Sequence, residues 1–317
     1  MGMNRVQMQP GLSMPEFLKR YGTEAQCAAA VMAMRWPAGY RCPACGDDRH
    51  ATVRVGHRQL WQCHRCRHQT SLIAGTIFEA TKLPLTTWFL AIYLVTQSKN
   101  AISALSLKRQ LGVSYPTAWL VKHKLMAVMA EIEDDRQLDG RIELDDAVLG
   151  GERPGRRGVS GPNKVSFVAA VSTTDEGRPR YVKLTPLPSV AAEPISNWGE
   201  RALADSAKVV SDGLHAIRRA MADSCIDHTV IVTGSGRAAA QHPAFRWVNT
   251  VIGNAKRAIS GTYHAFGFAK YARVYLAEFA FRFNHRFDLS RISVALIRAC
   301  ATSLPRNAQA IMSAEVR

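Results

Sequence analysis

Two closely spaced cysteine pairs constrain the fold of this chain more than any other feature of its sequence. Cys42 and Cys45 form the first CxxC pair, and Cys63 and Cys66 form the second, with 17 residues between the pairs. This spacing is typical of small zinc-binding ribbons, in which each pair turns tightly and directs two thiolates at one ion. Because four cysteines complete the tetrahedron, the predicted zinc site is structural and leaves no open position for a substrate.

Two disulfides are the alternative for the same four cysteines. The first residues lack the basic start and the long apolar core of a secretory signal. The longest apolar run, from Trp88 to Val95, is too short to span a membrane. We therefore expect a cytoplasmic protein, without a membrane partner, whose thiols stay reduced and able to bind zinc.

The chain carries a large excess of positive charge. Its 317 residues include 41 Lys and Arg against 25 Asp and Glu, which gives a formal net charge of +16 at pH 7. The two cysteine pairs are surrounded by Arg41, Arg49, Arg54, Arg58, Arg65 and Arg67. An excess of this size favours a polyanionic partner, most simply nucleic acid, and a ribbon that contacts phosphates.

Helical patterns lie on both sides of the cysteine module. Ser13 as N-cap, Pro15 in the first turn and Glu16 three residues after the serine predict the start of a helix. A second helix is predicted at about 24–34 and an apolar one at 84–97. We interpret these helices as packing elements without chemistry of their own.

Two shorter helical stretches have the sequence pattern of a helix-turn-helix. The first ends at Gly112, a short turn follows, and Ser114 caps a second helix that runs to about residue 126. The second helix is predicted to carry a set of polar and aromatic side chains toward a DNA groove. These side chains are Tyr115, Thr117, Lys122, His123 and Lys124.

Residues 141–149 combine the periodicity of a strand with acidic side chains. Ile142 and Leu144 are expected on one face, and Glu143 and Asp145 on the other. Acidic residues are poor strand formers, so divalent-metal binding is the commonest chemical reason for their presence. A solvated edge strand is the alternative interpretation.

The region after residue 140 alternates between strands and helices. Further strands are predicted at 165–171, 181–184, 207–211 and 229–232. Three strands in close succession, followed by strand–helix alternation, predict a mixed sheet with helices on its faces. Asp145 lies in the first strand and Asp212 ends a later one, so the two carboxylates converge on one metal site if those strands are neighbours.

Three further stretches carry candidate functional residues. The loop at 151–164 is basic and rich in glycine, and it is a candidate for phosphate contact. In a later helical stretch, Asn249 and Lys256 are seven residues apart and share a face, with Asn254 nearly opposite the lysine. A final amphipathic helix at 268–286 has a basic side, which is either solvated or in contact with DNA.

As an ordered set, these motifs resemble the zinc-ribbon, DDE-type transposases of the insertion-sequence 1595 family. The resemblance covers about residues 14–290 and includes the CPxCG ribbon, Glu-Leu-Asp-Asp followed by Gly-Gly, Ser-Asp-Gly, and Lys-Arg-Ala-Ile-Ser-Gly-Thr-Tyr-His. It implies an RNase H-like core that cleaves and joins DNA strands. It also implies element ends and target DNA as partners, a homo-oligomer on DNA, and a bacterial, nucleoid-associated location.

The same resemblance assigns the catalytic residues. The two catalytic aspartates correspond to Asp145 and Asp212, and the basic helix residue corresponds to Lys256. The third position, which is a glutamate in many members, falls on Asn249, with Asn254 as the competing candidate. An asparagine binds metal through a neutral carbonyl and therefore more weakly than a carboxylate.

Two Mg²⁺ or Mn²⁺ ions are the implied catalytic cofactors. They would activate water and then a DNA 3′-hydroxyl, with Asp145 shared between the ions, Asp212 and the asparagine each holding one, and Lys256 on a phosphate. Asp146 and Glu143 would take the place of Asp145 if the strand register is shifted by one residue.

The expected domain organisation of the chain has five parts. The parts are an N-terminal helical segment at 1–38, the zinc ribbon at 39–72, a helical region with the helix-turn-helix at 73–138, the catalytic core at 139–290 and a tail at 291–317.

One alternative function is that of a non-catalytic DNA-binding regulator, which the asparagine in the third position favours. The other is a nuclease on the same core, which cuts strands without joining them.

Overall fold

Two sets of elements arise from these patterns: helices with a small sheet, and a larger sheet with helices on its faces. The structure is a computed structural model that describes residues 6, 8–56, 58–150, 164–234, 242–263 and 266–313. The chain divides into two compact units. The first comprises Met1–Ser98, Ala104–Val128 and Asp288–Met312, and the second comprises Lys99–Ser103, Met129–Phe287 and Ser313–Arg317. Residues 151–163 of the basic loop lie outside the described part.

The first unit joins helices to a three-stranded ribbon of order β1-β2-β3, antiparallel throughout. Its elements are α1 (Met14–Tyr21), α2 (Glu24–Arg35), β1 (His50–Val55), β2 (Arg58–Cys63), β3 (Gln69–Ser71), α3 (Leu85–Gln97), α4 (Ala104–Leu111) and the start of α5 (Tyr115–Asp134). The Ser13 hydroxyl accepts a hydrogen bond from the Glu16 N–H, which confirms the predicted start of α1. In the described ranges, no helix is long and apolar enough to cross a membrane.

The turn between α4 and α5 matches the predicted boundary. Gly112 has a φ of 65°, a conformation that favours glycine, and the Ser114 hydroxyl accepts from the Thr117 N–H at 3.3 Å. Helix α5 continues to Asp134, past the predicted end at about residue 126, and its last residues from Met129 count with the second unit.

The prediction that α5 directs three basic residues toward DNA is wrong. Lys122, His123 and Lys124 are buried, with exposed fractions of 1%, 2% and 7%. His123 stacks on Trp119 with 4.0 Å between ring centres, and Lys124 donates from Nζ to the Ile77 carbonyl at 3.2 Å. Residues 121–130 of α5 are all buried, so the basic side chains in this stretch do not mark an exposed face of the helix.

A five-stranded sheet organises the second unit. Its elements are β4 (Arg141–Leu149), β5 (Val165–Thr173), β6 (Pro179–Leu187), α6 (Ala192–Ala202), β7 (Lys208–Ser211), α7 (His215–Asp223), β8 (Asp227–Val230), a 3-10 turn (Pro243–Phe245), α8 (Arg246–Thr262) and α9 (Phe268–Asn284). The strand order is β6-β5-β4-β7-β8; β4, β5 and β6 pair antiparallel, whereas β4, β7 and β8 pair parallel. The predicted mixed sheet is therefore confirmed, and β4 is a central strand, which rules out the edge-strand interpretation. The remaining helices, α10 (Ile292–Thr302) and α11 (Ala308–Met312), belong to the first unit.

The two faces of the sheet bury different helices. Ile142 and Leu144 enter an apolar core with Trp198 of α6 and Met221 of α7. Helix α8 packs against β4 and β5, and α9 packs mainly against β6. Because strand side chains alternate, Glu143 and Asp145 lie on the face opposite Ile142 and Leu144, as the sequence predicted.

Candidate active site and zinc cluster

The two CxxC turns of the ribbon have the same backbone geometry. The Gly46 N–H donates to the Cys42 carbonyl at 2.8 Å, and the Arg67 N–H donates to the Cys63 carbonyl at 3.1 Å. Gly46 and Arg67 have φ values of 75° and 62°. A side chain is strained in this left-handed region, so Arg67 adopts it because the second turn must fold as the first does.

These turns bring the four predicted zinc ligands together. The sulfur atoms of Cys42 and Cys66 are 3.5 Å apart, as are those of Cys45 and Cys63, and all four lie within 4.8 Å of one another. Zn–S bonds of about 2.3 Å in a tetrahedron place the sulfurs roughly 3.8 Å apart, so the cluster fits a zinc ion. Across the described residues, this is the one group of three or more His, Cys, Asp or Glu side chains with donor atoms that close.

A parallel strand pair brings the two predicted catalytic aspartates side by side. Leu144 of β4 pairs with Ser211 of β7, so the next residues, Asp145 and Asp212, occupy equivalent positions. The Asp145 carboxylate accepts from the Asp146 N–H at 2.8 Å, and the Asp212 carboxylate accepts from the Leu214 N–H at 3.1 Å. Asp212 directly follows the last residue of β7, and the carboxyl end of a parallel strand is a common place for a ligand site.

Burial and the repulsion of neighbouring carboxylates raise the pKa values of Asp145 and Asp146. Burial raises the pKa of Asp145 to about 7; the Asp146 N–H lowers this pKa, the charges of Asp146 and Asp212 raise it, and Lys256 lowers it. Burial also raises the pKa of Asp146, and Asp212 adds to that effect. Interacting acids of this kind are stabilised by a cation, and the ammonium of Lys256 is a positive charge that acts on both Asp145 and Asp146.

Helix α8 carries the three remaining predicted site residues on different sides. Its buried residues are Val248, Val251, Ile252, Ala255 and Ile259. At 3.6 residues per turn, Asn249 and Lys256 are only about 20° apart on one flank of this buried stripe. Asn254 is about 160° from Lys256 on the same projection, and its exposed carbonyl accepts from Arg257 at 2.8 Å. Asn249 is half-buried. It lies on the same flank as Lys256, whose charge acts on Asp145.

The structure disfavours Glu143 as a substitute metal ligand. Its carboxylate is 1% exposed, and both of its oxygens already bind protein donors. Oε2 accepts from the N–H groups of Trp247 and Val248 at 2.8 and 2.9 Å, and Oε1 accepts from Arg141 at 3.2 Å. Strand periodicity placed Glu143 on the correct face but carried no signal of these two N–H groups, which lie more than 100 residues away along the chain.

The residue after Asp212 must be glycine for a steric reason. Gly213 has a φ of 91°, and a Cβ at this position would lie 2.6 Å from Val230 and 2.8 Å from Arg218. The preceding Ser211 hydroxyl is buried and shares a hydrogen bond of 2.9 Å with His228 Nε2. The Ser-Asp-Gly sequence therefore fixes the direction in which the chain leaves β7 with its aspartate.

Comparisons with known proteins match both parts of this architecture. Residues 137–284 match the family described as ISXO2-like transposase domain, and residues 22–69 match the family described as transposase zinc-ribbon domain. A Halobacterium salinarum protein, described as an uncharacterized protein in transposable element ISH50, is 28% identical over 133 residues. That alignment covers 41% of this chain and 43% of the relative, which is less than half of either protein.

The matched zinc-ribbon domain contains the cysteine cluster. The matched transposase domain contains the sheet that carries Asp145 and Asp212. Both matches name a transposase, and the similar Halobacterium salinarum protein is described as lying in a transposable element. Residues 22–69 and 137–284 therefore carry the two domains of the zinc-ribbon insertion-sequence transposases of the 1595 family.

Proposed function

We propose that the chain binds the ends of its insertion sequence and catalyses metal-dependent DNA strand cleavage and strand transfer. The observation that carries this proposal is the parallel register of β4 and β7, which sets Asp145 beside Asp212 within the matched transposase domain. The sheet, with three antiparallel strands followed by two parallel ones, supports an RNase H-like core for this region.

Each site residue has a distinct proposed role. Asp145 and Asp212 hold the divalent metal ions, Asn249 supplies a neutral third ligand, and Lys256 binds a DNA phosphate near them. Mg²⁺ or Mn²⁺ held by these residues would supply Lewis-acid stabilisation of the charge that develops on the oxygens of the reacting phosphodiester. The chemistry of the donor set fits these hard cations, which prefer carboxylate and carbonyl oxygens. Asn254 remains the competing third position, although its carbonyl already accepts from Arg257.

The ribbon is the proposed docking module for DNA. Its four clustered cysteines would hold a structural zinc ion, which would keep the two turns in place. Exposed arginines around the cluster can reach phosphates; they are Arg41, Arg49, Arg65 and Arg67. In the helix-turn-helix, Tyr115 is 48% exposed, so the start of α5, and not its buried middle, is the proposed contact to DNA bases. The active form is proposed to be a homo-oligomer on DNA.

A strand-transfer assay separates the proposed function from its alternatives. Purified protein is mixed with labelled element-end DNA, an unlabelled target plasmid and Mg²⁺, and the products are separated by size. A transposase yields both cleaved ends and labelled ends joined to the plasmid. Cleavage without joining would favour a nuclease, and binding without cleavage would favour the regulator that the neutral Asn249 leaves open.

A further inference from the structure

The buried carboxylate of Glu143 attaches the central strand β4 to the first turn of α8. Its Oε2 accepts from the N–H groups of Trp247 and Val248 at 2.8 and 2.9 Å. N–H groups in the first turn of a helix have no acceptor within that helix, and the N-cap residue Phe245 provides no side-chain cap. A carboxylate that is 1% exposed requires such donors, so Glu143 and the helix start stabilise each other.

Arg141 extends this attachment to the turn that precedes α8. Its guanidinium donates to Glu143 Oε1 at 3.2 Å and to the Ala244 carbonyl at 3.2 Å. Arg141, Glu143 and Asp145 are alternate residues of one strand and therefore lie on the same face of the sheet. Glu143, where the attachment begins, is therefore two residues from the proposed metal ligand Asp145 on the same strand.

The other end of the attachment is equally close to a proposed ligand. Asn249 directly follows Val248, whose N–H binds Glu143, and both residues lie in the first turns of α8. Because Asn249 and Val248 are neighbours within one helix, a shift of its first turn would displace Asn249 as well. Lys256 lies two turns further along the same flank.

We propose that Glu143 is a positioning residue for the metal-dependent reaction, which holds the first turn of α8 against β4 and so fixes Asn249 relative to Asp145. The inference rests on the proposed function. It requires that loosening this attachment weakens the hold on the metal ions. Saturating metal then restores most of the reaction, because both oxygens of Glu143 bind protein donors and other residues hold the metal ions.

The test measures the Mg²⁺ concentration that gives half-maximal strand cleavage in Glu143→Ala and Glu143→Gln. Residues that orient metal ligands typically change metal affinity by about 10-fold to 100-fold, and Glu143→Ala is expected in this range. Glu143→Gln keeps the shape and one acceptor oxygen, so its shift should be smaller, and it should remain folded if the alanine variant does not. Cleavage at saturating Mg²⁺ and the Kd for DNA should stay within a few-fold of wild type.

Glu133→Gln is the matched control for the loss of a buried charge. Glu133 is 4% exposed and accepts from Asn284 and Arg136, and none of these residues lies on α8. This control should lower the unfolding midpoint and leave the Mg²⁺ requirement unchanged. A wild-type Mg²⁺ requirement in both Glu143 variants, or an equal shift in Glu133→Gln, would overturn the inference. Full Mg²⁺-dependent activity of Asp145→Asn would instead refute the proposed function itself.

Discussion

Leu144 and Ser211 lie opposite each other on the parallel strands β4 and β7, and each is followed directly by an aspartate. This register gives the two carboxylates equivalent positions where β7 ends, with α8 packed against β4. The strands are far apart in sequence, so the pairing is a property of the folded sheet. The proposed chemistry depends on this relationship more than on any single motif.

Zinc removal should destabilise the ribbon. Cys63→Ser removes one of four sulfurs from the cluster, and structural zinc contributes directly to the folding free energy of modules of this size. Metal analysis should find one zinc per wild-type chain and clearly less in the variant, together with a lower unfolding temperature. Cys225→Ser is the control, because Cys225 is exposed and lies outside the cluster. Zinc-free wild-type protein with full stability would refute the zinc assignment.

The exposed arginines of the ribbon should set the salt dependence of DNA binding. Arg65→Gln combined with Arg67→Gln should weaken binding and reduce the slope of log K against log salt by about 0.9 for each phosphate that the variant no longer neutralises. The slope is measured by titrating labelled DNA at several salt concentrations. Arg219→Gln, at an exposed position on α7, should leave it unchanged. An unaltered slope in the double variant would assign phosphate binding to other parts of the chain.

Local patterns predicted much of the fold, and long-range partners account for what they missed. Cysteine spacing, strand alternation and helix caps are properties of neighbouring residues, and they located the ribbon, β4 and the start of α5. The burial of Lys122 and the two N–H partners of Glu143 depend on residues distant in the chain. Residue type alone therefore favoured a basic DNA-facing surface where the fold buries Lys122, and it carried no sign that Glu143 binds the start of α8.

The two candidate third ligands should differ in their effect on catalysis. Asn249→Ala should lower Mg²⁺-dependent cleavage by more than about tenfold, the effect that even indirect changes around a metal commonly cause. Asn254→Ala should have little effect, since its side chain is exposed and bound to Arg257. Rates are compared on the same element-end DNA, with Asn249→Glu as the variant that supplies a charged ligand and retains activity. The opposite ranking of the two alanine variants would move the third position to Asn254.

His123 should make the protein less stable in mild acid. Burial lowers the pKa of His123 to about 3, and the charge of Lys122 contributes, whereas an unfolded histidine has a pKa of about 6.5. Between these values the unfolded chain binds one more proton, so this stability is fully present above about pH 6.5 and declines as the pH falls.

Urea unfolding at pH 7.5 and pH 5.5 tests this effect in wild type and in His123→Phe. Over this interval the wild type should lose about 1 kcal/mol more of its free energy of unfolding than the variant does. Phenylalanine retains a ring against Trp119, whose centre lies 4.0 Å from that of His123. An identical pH dependence in both proteins would show that His123 does not carry the effect.

The most direct test of the proposed reaction is Mg²⁺-dependent cleavage and joining of element-end DNA by Asp145→Ala and Asp212→Ala. Asp223→Ala is the control, because Asp223 is an exposed aspartate at the end of α7. Both active-site variants should lose cleavage and joining while they retain folding and DNA binding, and the control should react at the wild-type rate. Wild-type cleavage and joining by either Asp145→Ala or Asp212→Ala would contradict the assignment of a two-aspartate metal site to this sheet.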